Sequence, residues 1–199
     1  MTSYITTSRL YVKKEKLENL KHYKYGCVDR SIMGKLVLNP LYGFLVEYIP
    51  IWMAPNLLTV LALAFTLAGY LAVCLHAPNL SGEAPRWTYA FSGVMVLMYQ
   101  TFDGLDGKQA RRTKTSSPLG ELMDHGCDAI NTVFLALTIG TTIQITPTPL
   151  VFYTATVLFF GFFLATWEEY HTGSLVHSEF AVPNEGLVLP SLFPAPTPS

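Results

Sequence analysis

The sequence predicts an all-α integral membrane protein, a helical bundle of about four spans with an N-terminal amphipathic helix at the membrane interface. Half of the 199 residues are hydrophobic and only 14% are charged, with a mean hydropathy of +0.32. Soluble domains carry about 25% charged residues. Several long stretches are apolar on all sides instead of along one stripe, which is typical of membrane spans. The formal net charge of −1 gives no field that would attract nucleic acid, so we expect no nucleic-acid partner.

The chain divides into three predicted regions. Residues 1–54 form a cytoplasmic N-terminal region with the interfacial helix, 55–173 form the transmembrane core, and 174–199 form a loop and a Pro-rich tail. The first 25 residues contain no apolar core of the kind found in secretory leaders, so we expect no cleaved signal peptide. The three cysteines have no metal-type spacing and indicate buried residues in a reducing setting.

The interfacial helix is predicted from residues 35–53, "KLVLNPLYGFLVEYIPIWM", which mix aromatic and apolar residues with few charges. Such a helix can lie on the membrane with Tyr42, Tyr48 and Trp52 at headgroup depth. The alternative is a helix packed under the bundle.

The four predicted spans follow this helix. A short Pro-containing turn joins the last two, which predicts an antiparallel hairpin. Lysine and arginine concentrate before residue 36 and in 103–118, which places both regions on the cytoplasmic side of the membrane. The predicted spans are Leu57–Leu75, Trp87–Thr101, Ala129–Ile145 and Leu150–Trp167.

An acidic motif runs from Phe102 to Asp128, "FDGLDGKQARRTKTSSPLGELMDHGCD". Asp103 and Asp106 are three residues apart, and Asp124 and Asp128 are four apart, so each pair shares one helix face. A Ser-Ser-Pro sequence breaks the chain between the pairs. Two facing helix ends would therefore gather four carboxylates around one point.

The predicted carboxylate cluster needs a positive partner, because like charges repel and are costly near a membrane. Oxygen ligands suit Mg²⁺, Mn²⁺ or Ca²⁺, and a pair of such ions is a known solution for phosphoryl chemistry. Helix capping or surface solvation is the alternative for a single aspartate. The small residues Gly104, Gly107 and Ala110 let a polar ligand approach the backbone, and Arg111 suits phosphate.

Other ionisable residues near the motif allow more than one interpretation. Glu121 lies one turn before His125, so the pair resembles a general base with its orienting carboxylate, although a lone histidine is often structural. For the other groups we favour non-catalytic roles. We expect Lys108, Arg112 and Lys114 to contact lipid headgroups. We expect interfacial solvation, and not metal binding, for Glu168, Glu169 and His171, which could instead line the cytoplasmic mouth of the site.

The motif resembles the signature of the CDP-alcohol phosphotransferase family. The matching positions are Asp103-Gly104-x-x-Gly107-x-x-Ala110-Arg111, eight further residues, and Gly120-x-x-x-Asp124-x-x-x-Asp128, with Asp106 as an additional acid. The longer strings "DGKQARRT" and "SPLGELMDHGCD" resemble the eukaryotic choline/ethanolamine branch, as do "YKY", "WMAPNLLT" and "ATWEEYHTG". The resemblance covers about Tyr23 to Gly186.

The resemblance implies transfer of phosphocholine or phosphoethanolamine from CDP-choline or CDP-ethanolamine to diacylglycerol, giving phosphatidylcholine or phosphatidylethanolamine and CMP. It implies His125 as the general base, with Glu121 increasing its basicity. It also implies a homodimer in the membrane of the endoplasmic reticulum or Golgi, with the site at the cytoplasmic face. Two Mg²⁺ ions, or Mn²⁺ in their place, would be held by Asp103, Asp106, Asp124 and Asp128, and the CDP-alcohol by Asn56, Gly107, Ala110 and Arg111.

The chain departs from this family in length, since members of the branch are longer and contain more spans. We therefore expect a fragment or a shortened form. A truncated, catalytically silent membrane protein that binds CDP-alcohol or a full-length partner is the alternative function. A family member using inositol or glycerol phosphate as acceptor is disfavoured by the Glu121 and His125 pair.

Overall fold

A computed structural model describes residues 26–79, 84–142 and 148–177. The predicted tail from 178 onward, the first 25 residues and the turn at 143–147 lie outside the described residues. The described part is helical apart from two short strands, so the predicted all-α class is confirmed in its main elements. Its elements are β1 (Cys27–Asp29), α1 (Asn39–Leu45), α2 (Pro55–Cys74), α3 (Arg86–Thr113), α4 (Pro118–Thr142), α5 (Thr148–Thr172) and β2 (Leu175–His177).

Two of the helices are long and apolar enough to cross a membrane, judged by length and composition. They are Pro55–Cys74, which is α2, and Pro149–Thr172, which is nearly all of α5. The helices α3 and α4 are as long, but each contains a part of the acidic motif. The prediction of four spans therefore stays a prediction, with two candidate spans present in the described residues.

The break between α3 and α4 is confirmed. Helix α3 ends at Thr113, the capping residue Lys114 has a left-handed φ of 58°, and the amide of Thr115 donates to the carbonyl of Ala110 at 2.9 Å. This is the usual way for a helix to satisfy its last carbonyls. Helix α4 then begins at Pro118, and the Ser117 hydroxyl accepts from the amide of Gly120 at 3.1 Å. The two motif halves consequently lie on two adjoining helix ends.

The long helices pack as a small bundle in which α2 contacts both α3 and α4, and α4 contacts α5. Close α2–α3 approach occurs at Gly69, whose carbonyl accepts from the Ser92 hydroxyl at 2.8 Å. Close α4–α5 approach occurs at Gly140, which faces Val151. The centre of the bundle is a cluster of Ala62, Val96, Tyr99 and Leu135. This packing brings the acidic ends of α3 and α4 beside α2.

The residues of the predicted interfacial helix form a helical segment, residues 32–53, that we call the docking segment, and its position at a membrane interface stays a prediction. It consists of a π-helical turn at Gly34–Leu38, then α1, then a 3₁₀ turn at Val46–Tyr48. The expectation for Tyr42 is wrong, because its side chain is buried and its hydroxyl donates to the carbonyl of Gln100 at 3.1 Å. Tyr48 and Trp52 are exposed, at 71% and 79%. One side of the segment is thus packed and the other is open.

The two strands join the ends of the described chain. β1 and β2 pair in parallel, with Val28 opposite Val176, and the amide of Leu175 donates to the carbonyl of Gly26 at 2.8 Å. This pairing holds the start of the docking segment close to the end of α5.

Candidate active site

Three of the four predicted aspartates meet at one point between α3 and α4. One oxygen from each of Asp103, Asp124 and Asp128 lies within 4.8 Å of the others. The hydroxyl of Tyr99, one turn before Asp103 on α3, donates to Oδ1 of Asp128 at 3.2 Å. We call these three carboxylates the aspartate cluster. Their convergence was predicted from the i+3 and i+4 spacing, whereas the tyrosine was not.

Asp106 joins the aspartate cluster through Asp124, with which its carboxylate shares a hydrogen bond. Asp106 is buried, and the Thr59 hydroxyl donates to its Oδ2 at 2.5 Å. Thr59 lies on α2, so α2, α3 and α4 all contribute to the acidic site. Nothing in the local spacing of the motif indicated Thr59.

The electrostatics of these carboxylates require a positive partner. They lie beyond the apolar stretches of their helices, and burial, reinforced by the charges of Asp106 and Asp128, raises the pKa of Asp124 to about 9. Burial also raises the pKa of Asp106 to about 6, although the hydrogen bond from Thr59 opposes the shift. Burial, followed by the neighbouring carboxylates, raises the pKa of Asp103 well above its usual range. Fully ionised aspartates are therefore favoured here only beside a cation.

The residues present fit a divalent cation. Oδ1 of Asp124 is buried and has no hydrogen-bond partner among the described residues, which is costly unless another ligand satisfies it. The donors are all carboxylate oxygens, which suit Mg²⁺ or Mn²⁺ better than zinc. The chemistry of the donor set and the orphaned oxygen together support a metal-binding role.

The predicted nucleotide-binding residues lie around the same helix ends. Asn56 of α2 is next to Gly120 of α4, because a Cβ on that glycine would be 3.6 Å from Oδ1 of Asn56. A Cβ on Gly107 would be 3.5 Å from Nη1 of Arg111, so this guanidinium lies over the glycine. Ala110 is half-buried on the same helix.

Gly104 has a different role from the predicted one. A Cβ at this position would overlap the ring of Tyr42, so the glycine makes room for the docking segment. The expectation that Gly104 admits a ligand is wrong. It failed because the side chain that fills this space belongs to Tyr42, which lies 62 positions earlier in the chain. The spacing of residues within the motif cannot predict so distant a contact.

A second group of ionisable residues, which we call the histidine cluster, contains Glu121, His125 and Glu169. One nitrogen or carboxylate oxygen from each lies within 4.8 Å of the others. Nδ1 of His125 is 3.9 Å from Oε2 of Glu169, and the two side chains are 20% and 13% exposed. The expected solvation role is therefore wrong for Glu169, whereas Glu168 and His171 are exposed as expected. The predicted neighbourhood of Glu121 and His125 is found, with Glu169 as an added carboxylate.

The basic residues of the motif separate in the structure. Arg112 donates from Nη1 to the carbonyls of Val46 and Ile49, each at 2.7 Å, so the expectation that it meets headgroups is wrong. Lys114 is exposed, and Lys108 is half-buried, with a pKa lowered by burial and then by Arg111. The membrane-surface interpretation stays a prediction for these two lysines.

Comparison with known proteins defines the class to which this fold and site belong. The family model for CDP-alcohol phosphatidyltransferases matches residues 52–178, which include α2 to α5 and all of the carboxylates described above. The chain therefore belongs to the CDP-alcohol phosphatidyltransferase family, a family of enzymes.

Individual relatives narrow the resemblance to one branch. The chain is 41% identical over 179 residues to choline/ethanolaminephosphotransferase 1 of Saccharomyces cerevisiae, covering 90% of this chain and 46% of the relative. It is 40% identical over 179 residues to choline/ethanolaminephosphotransferase 1 of Arabidopsis thaliana, with the same two coverages. It is 39% identical over 160 residues to cholinephosphotransferase 1 of Mus musculus, covering 80% of this chain and 40% of the relative. The chain thus spans less than half the length of these curated relatives.

Proposed function

We propose that this chain contains the nucleotide-binding and catalytic portion of a choline/ethanolamine phosphotransferase. The substrates would be CDP-choline or CDP-ethanolamine and diacylglycerol, and the products phosphatidylcholine or phosphatidylethanolamine and CMP. The observation that carries this proposal is the aspartate cluster, formed by two helix ends within the region that matches the family. The names of the relatives support the choice of aminoalcohol.

The aspartates and the residues around them would bind the diphosphate end of the CDP-alcohol. Two Mg²⁺ ions, or Mn²⁺, would neutralise the diphosphate and stabilise the departing CMP when bound. Asn56 and Gly120 are adjacent on one side, and Gly107, Ala110 and Arg111 supply an open helix face with a guanidinium for phosphate. The proposed metal ligands are Asp103, Asp106, Asp124 and Asp128.

His125 would act as the general base. A lipid hydroxyl is a poor nucleophile, so it needs a group that accepts its proton as its oxygen bonds to the phosphorus of the aminoalcohol phosphate. The bond from that phosphorus to the bridging oxygen breaks, and CMP leaves with the electron pair. Glu121 and Glu169 stabilise the imidazolium that results, since both carboxylates lie in the histidine cluster.

The membrane setting we propose has four spans and a cytoplasmic site, in the endoplasmic reticulum or Golgi. Candidate spans α2 and α5 support it, as does the concentration of lysine and arginine near the motif. The exposed apolar side chains of the docking segment support contact with the membrane surface. In this setting a water-soluble nucleotide meets a lipid alcohol that diffuses within the membrane. A homodimer of the full-length enzyme belongs to the same proposal.

The proposal is tested with the purified chain in lipid nanodiscs, supplied with labelled CDP-choline or CDP-ethanolamine, diacylglycerol and Mg²⁺. We expect labelled phospholipid that disappears when EDTA replaces Mg²⁺. A panel with inositol or glycerol phosphate as acceptor should give no product. Absence of Mg²⁺-dependent phospholipid would refute transfer by this chain.

The alternative is a silent membrane protein that binds CDP-alcohol or pairs with a full-length partner, which would use the same aspartate cluster for binding without transfer. The same nanodiscs distinguish it when Mg²⁺-dependent binding of labelled CDP-choline is measured beside product formation. Binding without product would support the silent protein, and binding with product would support the enzyme.

A further inference from the structure

Helix α3 presents two different sides. Residues three and four apart lie on one side of a helix, so Leu105, Gln109 and Arg112 form a stripe on α3, and this stripe lies on the side away from Asp103. Leu105 belongs to a buried cluster with Leu38, Tyr42, Val46 and Leu58. The side of α3 that faces away from the aspartate cluster is therefore the side that holds the docking segment.

Arg112 binds the end of the 3₁₀ turn of the docking segment. Its Nη1 donates to the carbonyls of Val46 and Ile49 at 2.7 Å each, and its Nη2 to the carbonyl of Glu47 at 3.4 Å. The backbone becomes extended at Ile49, so these carbonyls come from the last turn of the helical segment. The C-terminal end of a helix has carbonyls without hydrogen-bond partners and a partial negative charge. A guanidinium donates hydrogen bonds to the carbonyls and balances the charge.

Gln109 continues this contact one turn earlier on α3. Its Nε2 donates to the carbonyls of Pro50 at 3.0 Å and Met53 at 3.1 Å, and the side chain is fully buried. Both neighbours of Nε2 are acceptors, so the amide can face them only with its NH₂ group. Oε1 has no hydrogen-bond partner among the described residues. An unpaired buried acceptor is unfavourable in free energy, and the two hydrogen bonds from Nε2 offset this.

The opposite side of the docking segment is apolar and exposed. Leu36, Phe44, Ile51 and Trp52 are 73%, 59%, 69% and 79% exposed. The segment continues directly into α2, a candidate membrane span that begins at Pro55. Aromatic and apolar side chains at the end of a span fit the boundary between lipid headgroups and acyl chains.

We propose that Gln109 and Arg112 are positioning residues. They hold the docking segment, which contacts lipid, against the side of α3 that faces away from the aspartate cluster. A lipid surface that holds Trp52 then fixes the height of α3, and hence of the aspartate cluster, relative to the membrane. The link to catalysis rests on the proposed function, whereas the fastening and the lipid contact do not. Five hydrogen bonds to main-chain carbonyls fasten the segment, two from Gln109 and three from Arg112.

The test follows Trp52 fluorescence in the full chain. Trp87→Phe and Trp167→Phe leave Trp52 as the single tryptophan, and the protein is reconstituted in phosphatidylcholine vesicles with brominated acyl chains, which quench a tryptophan in contact with lipid. We expect strong quenching in this parent and a loss of quenching, with a red shift of emission, in Arg112→Gln. Gln109→Met, which keeps the length of the side chain and removes its donors, should show the same change.

Two further variants make the result specific. Lys114→Asn removes a neighbouring exposed cation and suits the left-handed backbone, so it should keep the parent quenching. Arg112→Lys should keep most of the quenching, because an ammonium can donate to the same carbonyls. Unchanged quenching in both Arg112→Gln and Gln109→Met would overturn the proposal. So would equal loss in Lys114→Asn or Arg112→Lys. The measurement needs no turnover, so its failure is distinct from failure of the phosphotransferase assay.

Discussion

The aspartate cluster and the histidine cluster interleave along α4, where Asp124 directly precedes His125, yet their charges are arranged differently. The aspartate cluster consists of carboxylates alone, from Asp103, Asp124 and Asp128. The histidine cluster places an imidazole with Glu121 and Glu169, so its negative charges have a partner that can become positive. Both clusters are partly buried, where charge is costly unless it is balanced.

In the proposed enzyme, this difference assigns substrate binding to the aspartate cluster and proton transfer to the histidine cluster. A group of carboxylates with raised pKa values gains most from an ion supplied from outside, so the aspartate cluster is suited to metal and diphosphate. A histidine between two carboxylates is balanced within the protein and is suited to accepting a proton. Changes in the first cluster should therefore abolish binding, and changes in the second should lower turnover without affecting binding.

The largest expected effect is in the aspartate cluster. Asp128→Asn removes one charge and one metal ligand, and we expect transfer to fall roughly a thousandfold, because a metal ion supplies several kcal/mol of charge stabilisation. Mg²⁺-dependent binding of CDP-choline, measured by equilibrium dialysis in nanodiscs, should be lost as well. Treatment of the unmodified chain with EDTA should reproduce both losses. Normal binding by the variant would show that Asp128 is not a metal ligand.

The second effect distinguishes the two clusters. His125→Ala should lower kcat roughly a hundredfold, the usual contribution of a general base. Binding of CDP-choline with Mg²⁺ should be unchanged, because the aspartates are intact. The two quantities are measured on one preparation by product formation and dialysis. If binding fell together with turnover, the separation into a binding and a reacting cluster would be wrong.

The carboxylates beside His125 should give a smaller effect. Glu169→Gln and Glu121→Gln each remove one charge near the imidazole, and we expect kcat/KM to fall about tenfold in each. Glu168→Gln is the matched control, since Glu168 is the exposed neighbour on the same helix. A tenfold loss in the control as well would assign the effect to the surface charge of α5. No loss in Glu169→Gln would show that Glu169 does not support His125 in the reaction.

The contrast between the clusters also explains what could be predicted from the sequence. Asp103, Asp106, Asp124 and Asp128 lie on two helices, and the i+3 and i+4 spacing predicts their shared faces before any tertiary contact is known. The break at Ser117–Pro118 was likewise visible in the local turn residues. These parts of the site are encoded within a few helical turns.

The remaining contacts depend on packing between distant segments. Glu169 reaches His125 from α5, Thr59 reaches Asp106 from α2, and Tyr42 fills the space over Gly104. No period within a single helix specifies which residues of two helices face each other. Glu169 was therefore assigned to solvent, Tyr42 to headgroup depth and Gly104 to a ligand, and Thr59 was not singled out. Arg112 was misassigned for the same reason, because its acceptors are main-chain carbonyls that carry no signal in side-chain chemistry.

The smallest expected effect comes from the α4–α5 contact that holds Glu169 in place. A Cβ on Gly140 would lie 2.9 Å from Cγ1 of Val151, a fully buried β-branched residue that cannot move aside easily. Gly140→Ala should therefore push α5 outward and cost about 1 to 3 kcal/mol of stability, measured by thermal unfolding in detergent. Because Gly140 lies near the opposite end of α4 from His125, we expect a few-fold loss of kcat and no change in CDP-choline binding.

Gly161→Ala is the control for this substitution, because a Cβ on Gly161 meets nothing within 4 Å and alanine favours a helix. It should leave stability and turnover unchanged or slightly raise stability. If Gly140→Ala weakened CDP-choline binding as strongly as turnover, α5 would support the aspartate cluster as well. The idea that α5 contributes only to the histidine cluster would then be wrong. Loss of turnover alone would show that α5 acts on the site through Glu169.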